Sequence, residues 1–185
     1  MNTRMFLEDR GILLALLVSI LLPSLVVAQT APAGQHSRAE VIVAARDVMQ
    51  KAVYCTFITI GEDGQPQARI VDPTFPDANF TIWIGTNPLT RKVNQIRRDA
   101  RVTLLYFHAA SSSYATVLGL AALVTDAEEK ERRWKASWAP FYPNGARSSD
   151  FMLIRVTPSR LEISSNSRKM TSNPKTWLPV VIDFP

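Results

Sequence analysis

"TNPLTRKVNQI", residues 86–96, lies between two strand-like runs, and its reading orders the chain around it. Before it, "FTIWIG" (80–85) is rich in β-branched and aromatic residues. After it, "RVTLLYFH" (101–108) continues in the same manner. The stretch opens with turn residues and passes into a helical pattern over Thr90–Asp99. Arg91 and Lys92 then fall in the first turn of that helix, the unfavourable end of its macrodipole for a cation. Each costs about 0.3–1 kcal/mol there when exposed. An anion at the helix start would reverse this, because the free backbone N–H groups and both cations would converge on it. Thr86 and Thr90 add hydroxyl donors, Thr90 takes the N-cap position, and Gly85 lets the backbone approach closely. A solvated basic turn is the alternative reading of the same residues.

Further out, strands dominate. "VYCTFITI" (53–60) and "QARIVDPTF" (67–75) read as the arms of a hairpin around the turn "GEDGQP". "NFTIWIG" (79–85) is a third strand, "RVTLLYFH" a fourth and "YATVLGLAALVTD" (114–126) a long fifth, in which Gly119 marks a bulge or bend. "FMLIRVTPSRLEISS" (151–165) reads as two more short strands joined at Pro158. Helices are few. "SRAE" (37–40) is a capping box that starts a helix to about Ala52, with Val41, Ile42, Ala45, Val48 and Met49 on one face. "AEEKERRWKASW" (127–138) reads as another, with Trp134 and Trp138 four apart on one face. Their burial would contribute about 2–3 kcal/mol each. Connections this short do not accommodate parallel crossovers. The expected class is therefore mainly β: an antiparallel, six- to seven-stranded Greek-key barrel with peripheral helices.

Residues 1–28 read as a signal peptide rather than part of the fold. "GILLALLVSILL" (11–22) is stopped by Pro23 and Ser24, and Val26 and Ala28 are the small residues before a cut at Gln29. Glu8 and Asp9 offset Arg4 and Arg10, so an uncleaved N-terminal anchor is the alternative. The expectation is export to the periplasm or beyond, with no stable membrane association after cleavage. Residues 29–36, "QTAPAGQH", form a linker, 37–165 the domain, and 166–185 a tail placed to lie over another surface or subunit.

A net charge of +5 suits a small anionic ligand, and the scattered basic residues argue against nucleic acid. Cys55 is the only cysteine, which excludes an intramolecular disulfide, and in its strand it reads as packing. No metal motif, Gly-x-Ser-x-Gly elbow or dinucleotide glycine pattern is present; His36 and His108 lack a second His at ligand spacing, and "SSSY" reads as a loop. Asp72 reads as a cap of the turn at Pro73, or as a proton donor beside a cofactor.

The ordered set "QARIVDP", "WIGTNPLTRKVNQI", "ARVTLLYFH" and "YATVLGLA" resembles the pyridoxamine 5′-phosphate oxidase-like, FMN-binding split barrels. The resemblance runs from about residue 38 to 165. Arg69-Ile70-Val71 stands for the family's Arg-led strand, Gly85-Thr86-Asn87 for its Tyr-Thr-Asn turn, and Thr90-Arg91-Lys92 for Ser-Arg-Lys. Within the superfamily, "TVLGLAALVTDAEEKERRWKASWAPFYPNG" resembles the general-stress-protein branch.

The resemblance implies FMN bound at the interface of a homodimer, with F420 or FAD as alternatives. Arg91, Lys92 and Arg69 would meet the phosphate with Thr86 nearby, the backbone of Ile70 and Val71 would run beside the isoalloxazine, and Tyr114 would face the cofactor. The implied function is an FMN-dependent oxidoreductase passing hydride or electrons to a small acceptor. A non-catalytic flavin- or F420-binding, stress-related module is the alternative. No catalytic residue is assigned. Two departures argue against oxidation of a phosphorylated pyridoxine. Thr74 replaces the lysine for the substrate phosphate, and "PSRLEISSNS" carries no Arg-x-His element.

Overall fold

The computed structural model describes residues 36–171, 173 and 175–185. The expected signal peptide, and all of the linker except His36, lie outside the described residues.

The chain enters the fold through α1 (Arg38–Ala52). The Ser37 hydroxyl accepts from the Glu40 amide while the Glu40 carboxylate accepts from the Ser37 amide at 2.8 Å, which is the expected capping box. Strands β1 (Cys55–Ile60) and β2 (Pro66–Val71) form the hairpin, and β3 (Ile82–Thr86) leads into α2 (Arg91–Arg98). Then follow β4 (Arg101–His108), β5 (Ser113–Val124), the short α3 (Ala127–Arg132), β6 (Met152–Ser164) and β7 (Val180–Asp183). The strands form one antiparallel sheet in the order β2-β1-β4-β5-β6-β3, with β7 also on β6. An isolated bridge, Pro73↔Ile84, joins the chain beyond β2 to the opposite edge strand β3, and the Thr74 amide donates to the Trp83 carbonyl at 2.8 Å beside it. The sheet curls into a split β-barrel, the expected fold class.

Alternation supplies the core. Phe57, Leu104, Tyr106, Val117, Ile154 and Leu161 point inward and are buried, and α1 covers them with Val41, Ala44, Ala45, Val48 and Met49. Ala44 takes a place on the apolar face that the sequence suggested for Ile42, which is only half-buried. Outside the barrel a second cluster forms from Trp83, Trp138, Phe151 and Leu153, roofed by Trp134 and Tyr142. The outward face of β2, β1, β4 and β5 is mostly apolar: Ile58, Leu105 and Leu118 are half-covered, and Ile70, Phe107 and Leu120 are open to solvent.

Three local readings are corrected. "FMLIRVTPSRLEISS" is one strand, not two, because Pro158 is absorbed at a bulge: Leu118 pairs with Arg160 and Gly119 with Pro158, leaving Ser159 as the extra residue. The extra residue lies opposite Gly119, where a Cβ would stand 2.2 Å from the Thr157 carbonyl oxygen. The bulge also switches parity, so that Val156 before it and Leu161 after it both face inward. The helix of 127–138 ends at Arg132, with a separate 3₁₀ turn at Ala136–Trp138. Trp134 and Trp138 therefore do not share a helical face, but their rings still meet edge to face, 6.2 Å apart. The tail supplies β7 to its own chain's sheet.

Candidate functional site

β2 is an edge strand, so half of its backbone groups at Ile70 and Val71 face away from β1. Beside that edge, α2 begins at Arg91 directly after the turn that follows β3. The turn is held by its own side chains. The Asn87 carboxamide oxygen accepts from the Leu89 amide at 2.8 Å, and the Thr90 hydroxyl donates to the Asn87 carbonyl at 2.9 Å. The buried Thr86 hydroxyl lies 3.2 Å from that of Thr90. Thr86 and Thr90 thus spend their hydroxyls on the turn instead of on an incoming anion. Thr90 occupies the N-cap position, but its side chain caps nothing, so the Arg91 and Lys92 amides stay open while the Val93 amide donates to the Thr90 carbonyl at 3.0 Å.

Arg69, Arg91 and Lys92 converge on this helix start. Arg69 points from β2 toward α2, where it donates to the Thr59 hydroxyl at 2.6 Å, to the Gln95 carboxamide oxygen at 3.1 Å and to the Phe57 carbonyl at 3.3 Å. Gln95 is itself fixed by the Thr59 hydroxyl and by Gln67. Every acceptor of the guanidinium is neutral. Among the described residues, none of the three cations forms an ion pair with a carboxylate. Burial, then the nearby Arg91 charge, lowers the Arg69 pKa; burial, then the Arg69 charge, lowers that of Lys92.

Lys92 also opens onto a cleft of about 310 Å³ that runs along Ile70, Val71 and Asp72 to Gly85, with Trp138 and Tyr142 as its far wall. Gly85 serves the wall. A Cβ there would come within 2.9 Å of Phe151 Cε2 and 3.0 Å of Trp138 Cδ2, so the missing side chain makes room for the aromatic rings. Asp72 is taken up entirely by structure: it pairs with Lys135, accepts from the Ser137 hydroxyl at 2.7 Å, and its carbonyl accepts from Trp138 Nε1 at 3.1 Å. This does not suit a proton donor.

Arg69, Ile70, Val71, Gly85, Arg91 and Lys92 are thus brought to one place, while Tyr114 is not. Tyr114 lines a separate surface cavity with Ser112, Ser164 and Trp177. Sequence reasoning missed Gln95, Lys135 and Tyr142. Gln95 carried a signal, as a polar residue between Val93 and Ile96 on the buried side of an otherwise charged helix. Cys55 is buried at the start of β1, and burial pushes its thiol up to about 12.

Residues 41–175 match the family described as pyridoxamine 5′-phosphate oxidase like. Among solved structures, a Clostridium acetobutylicum protein related to general stress protein 26 has a TM-score of 0.68 at 16% identity, covering 80% of this chain and 97% of its own. General stress protein 26 from Bacillus anthracis gives 0.55 at 18% identity, covering 64% and 92%. A pyridoxamine 5′-phosphate oxidase-related, FMN-binding protein from Nostoc punctiforme gives 0.56 at 12% identity, covering 82% and 98%. At these identities the likeness is one of fold. No curated protein matches this sequence.

Proposed function

Since this chain belongs to the pyridoxamine 5′-phosphate oxidase-like family, we propose that it binds FMN beside β2 and acts as an oxidoreductase on a small acceptor. The observation that carries this reading is the set of Arg69, Arg91 and Lys92, gathered at an uncapped helix start with no carboxylate partner among the described residues. A phosphate there would offset the burial and mutual repulsion of the cations. The residues fit the rest of the group as well. The open edge of β2 at Ile70–Val71 offers peptide N–H and C=O groups to a planar ring, and the Lys92 cleft has an aromatic wall. Bound FMN would supply hydride or electron transfer, while the chain positions it and shields it from water.

The apolar outward face of β2, β1, β4 and β5 supports a homodimer, in which Ile70, Phe107 and Leu120 would leave solvent. Tyr114 would then meet a cofactor only from the partner protomer. The N-terminal apolar run supports export, for which the expected mature chain begins at Gln29. A second reading, a flavin carrier without turnover, is favoured by the engagement of Asp72 in the Lys135 pair, which leaves no proton donor assigned at the cleft.

Titration of the purified chain with FMN, followed by flavin fluorescence quenching, tests the site. The expected result is saturation at one FMN per subunit; FAD and F420 in parallel titrations identify the cofactor if FMN fails. Reduction of the bound flavin by a nicotinamide and reoxidation by an acceptor would separate the enzyme from the carrier.

A further inference from the structure

The buried row of β1 runs Cys55, Phe57, Thr59, and its last member is a hydroxyl sealed inside the protein. Antiparallel pairing sets Phe57 opposite Arg69 and Thr59 opposite Gln67, so the Arg69 side chain leans only one pair along the hairpin to reach Thr59. From α2, Gln95 is buried at the same spot together with Val93 and Ile96. The result is a polar knot of Thr59, Gln67, Arg69 and Gln95, in which Thr59 is wholly buried and Gln95 is 4% exposed.

The Thr59 hydroxyl donates to Gln95 Oε1 at 2.5 Å, and Gln95 Nε2 donates to Gln67 Oε1 at 2.7 Å. Thr59 Oγ1 and Gln95 Oε1 therefore lie side by side, much as the two oxygens of a carboxylate do, but without its charge. Arg69 Nη1 donates to the first and Nη2 to the second, and Nη1 gives its other N–H to the Phe57 carbonyl. A guanidinium carries five N–H donors in a rigid plane. Three are used here, and because the Thr59 and Gln95 oxygens are adjacent, they take the Nη1–Nη2 end of the fork. The two donors left over, on Nε and Nη2, form the other edge of the plane and have no partner among the described residues. Such an edge matches two oxygens of a phosphate. A carboxylate in place of the Thr59–Gln95 pair would cancel the charge as it fixed the side chain. The neutral pair fixes it and leaves the charge whole, which removes part of the ordering cost of binding an anion.

We propose that Thr59 and Gln95 are positioning residues: they hold one end of the Arg69 guanidinium so that its Nε edge is presented to two oxygens of the flavin's phosphate. The inference rests on the flavin reading of the site.

The test is titration with FMN, followed by flavin fluorescence quenching, of the full chain and of Thr59→Val, Thr59→Ser and Gln95→Leu, each with Arg69 present and with Arg69→Ala. With Arg69 present, Thr59→Val is close to isosteric and should weaken FMN binding about threefold to tenfold, the effect of one lost hydrogen bond. Thr59→Ser keeps the hydroxyl and should bind within about twofold of the parent, while Gln95→Leu should weaken binding about tenfold or more. In the Arg69→Ala background both losses should shrink to about twofold or less, since no guanidinium is left to position. A purely structural role would give the same loss in both backgrounds. That result would overturn the inference, as would unchanged affinity in Thr59→Val or an equal loss in Thr59→Ser. Should Gln95→Leu fail to fold, the two Thr59 variants decide alone. A parent chain that binds no FMN would instead overturn the flavin reading, and this inference with it.

Discussion

Two sets of charges flank the end of β2. On one side stand Arg69, Arg91 and Lys92; on the other, Asp72 with Lys135 and Ser137. The second set is closed. Asp72 has a cation, a hydroxyl donor and an indole N–H through its carbonyl, and Lys135 returns a bond to the Pro73 carbonyl. The first set is open, for Arg69 finds only neutral acceptors, none of the three has a carboxylate partner among the described residues, and burial works against Arg69 and Lys92. Residues that differ by three positions in sequence, Arg69 and Asp72, therefore have opposite relations to folding. The closed set is satisfied by the fold itself, and its loss should be felt as stability. The open set is completed only from outside, and its loss should be felt as affinity.

Replacing Arg91 and Lys92 together by alanine should have the largest effect. FMN binding is expected to weaken by about 3–6 kcal/mol, at roughly 1.5–3 for each charge-assisted bond, with the urea midpoint unchanged or raised. A fall in stability with affinity intact would break the comparison. Asp72→Ala is the converse. It leaves Lys135 and Ser137 without their acceptor in a partly exposed place, and should cost about 2–3 kcal/mol of unfolding free energy, read in urea. Gly85→Ala sharpens the contrast at the wall between the two sets. The new methyl must push Trp138 and Phe151 aside, for about 1–3 kcal/mol of stability, and FMN affinity should fall with it.

The smallest effect is a pH dependence of FMN affinity. Lys92 has its pKa lowered in the free protein, and a bound phosphate favours the charged amine, so binding raises that pKa and takes up protons. Affinity should therefore be retained at neutral pH and decline as the pH climbs toward the ordinary lysine value of 10.5, and Lys92→Arg should flatten that decline.

Much of this was legible in the sequence for a physical reason: local patterns that the tertiary structure reuses survive folding. The alternation of "RVTLLYFH" became β4 over the same residues, and Ser37 and Glu40 made their capping box. The cations of "TRK" could be found because they violate a local rule at a helix start. What escaped reading depended on partners far along the chain. Pro158 suggested a break between strands, but Gly119, far away on β5, lets the bulge absorb it. Trp134 and Trp138 looked like one helical face, yet α3 ends at Arg132 and the rings meet through Phe151, 4.9 Å and 5.7 Å from its centroid. Thr86 and Thr90 were read as free donors because nothing local reveals that two hydroxyls and the Asn87 carbonyl consume one another.

The bridge at Pro73↔Ile84 has a kinetic consequence. A barrel closed at one seam by a single bridge will breathe there first, since Pro73 has no N–H to give and the backbone contacts beside it are the two between Thr74 and Trp83. Amides at Thr74 and Trp83 should exchange with deuterium well before those of Leu104 and Val117, which sit inside continuous ladders. Such parting would expose the flank of Gly85 without disturbing α1 or the barrel interior. The folded chain could then admit a bulky planar guest without unfolding.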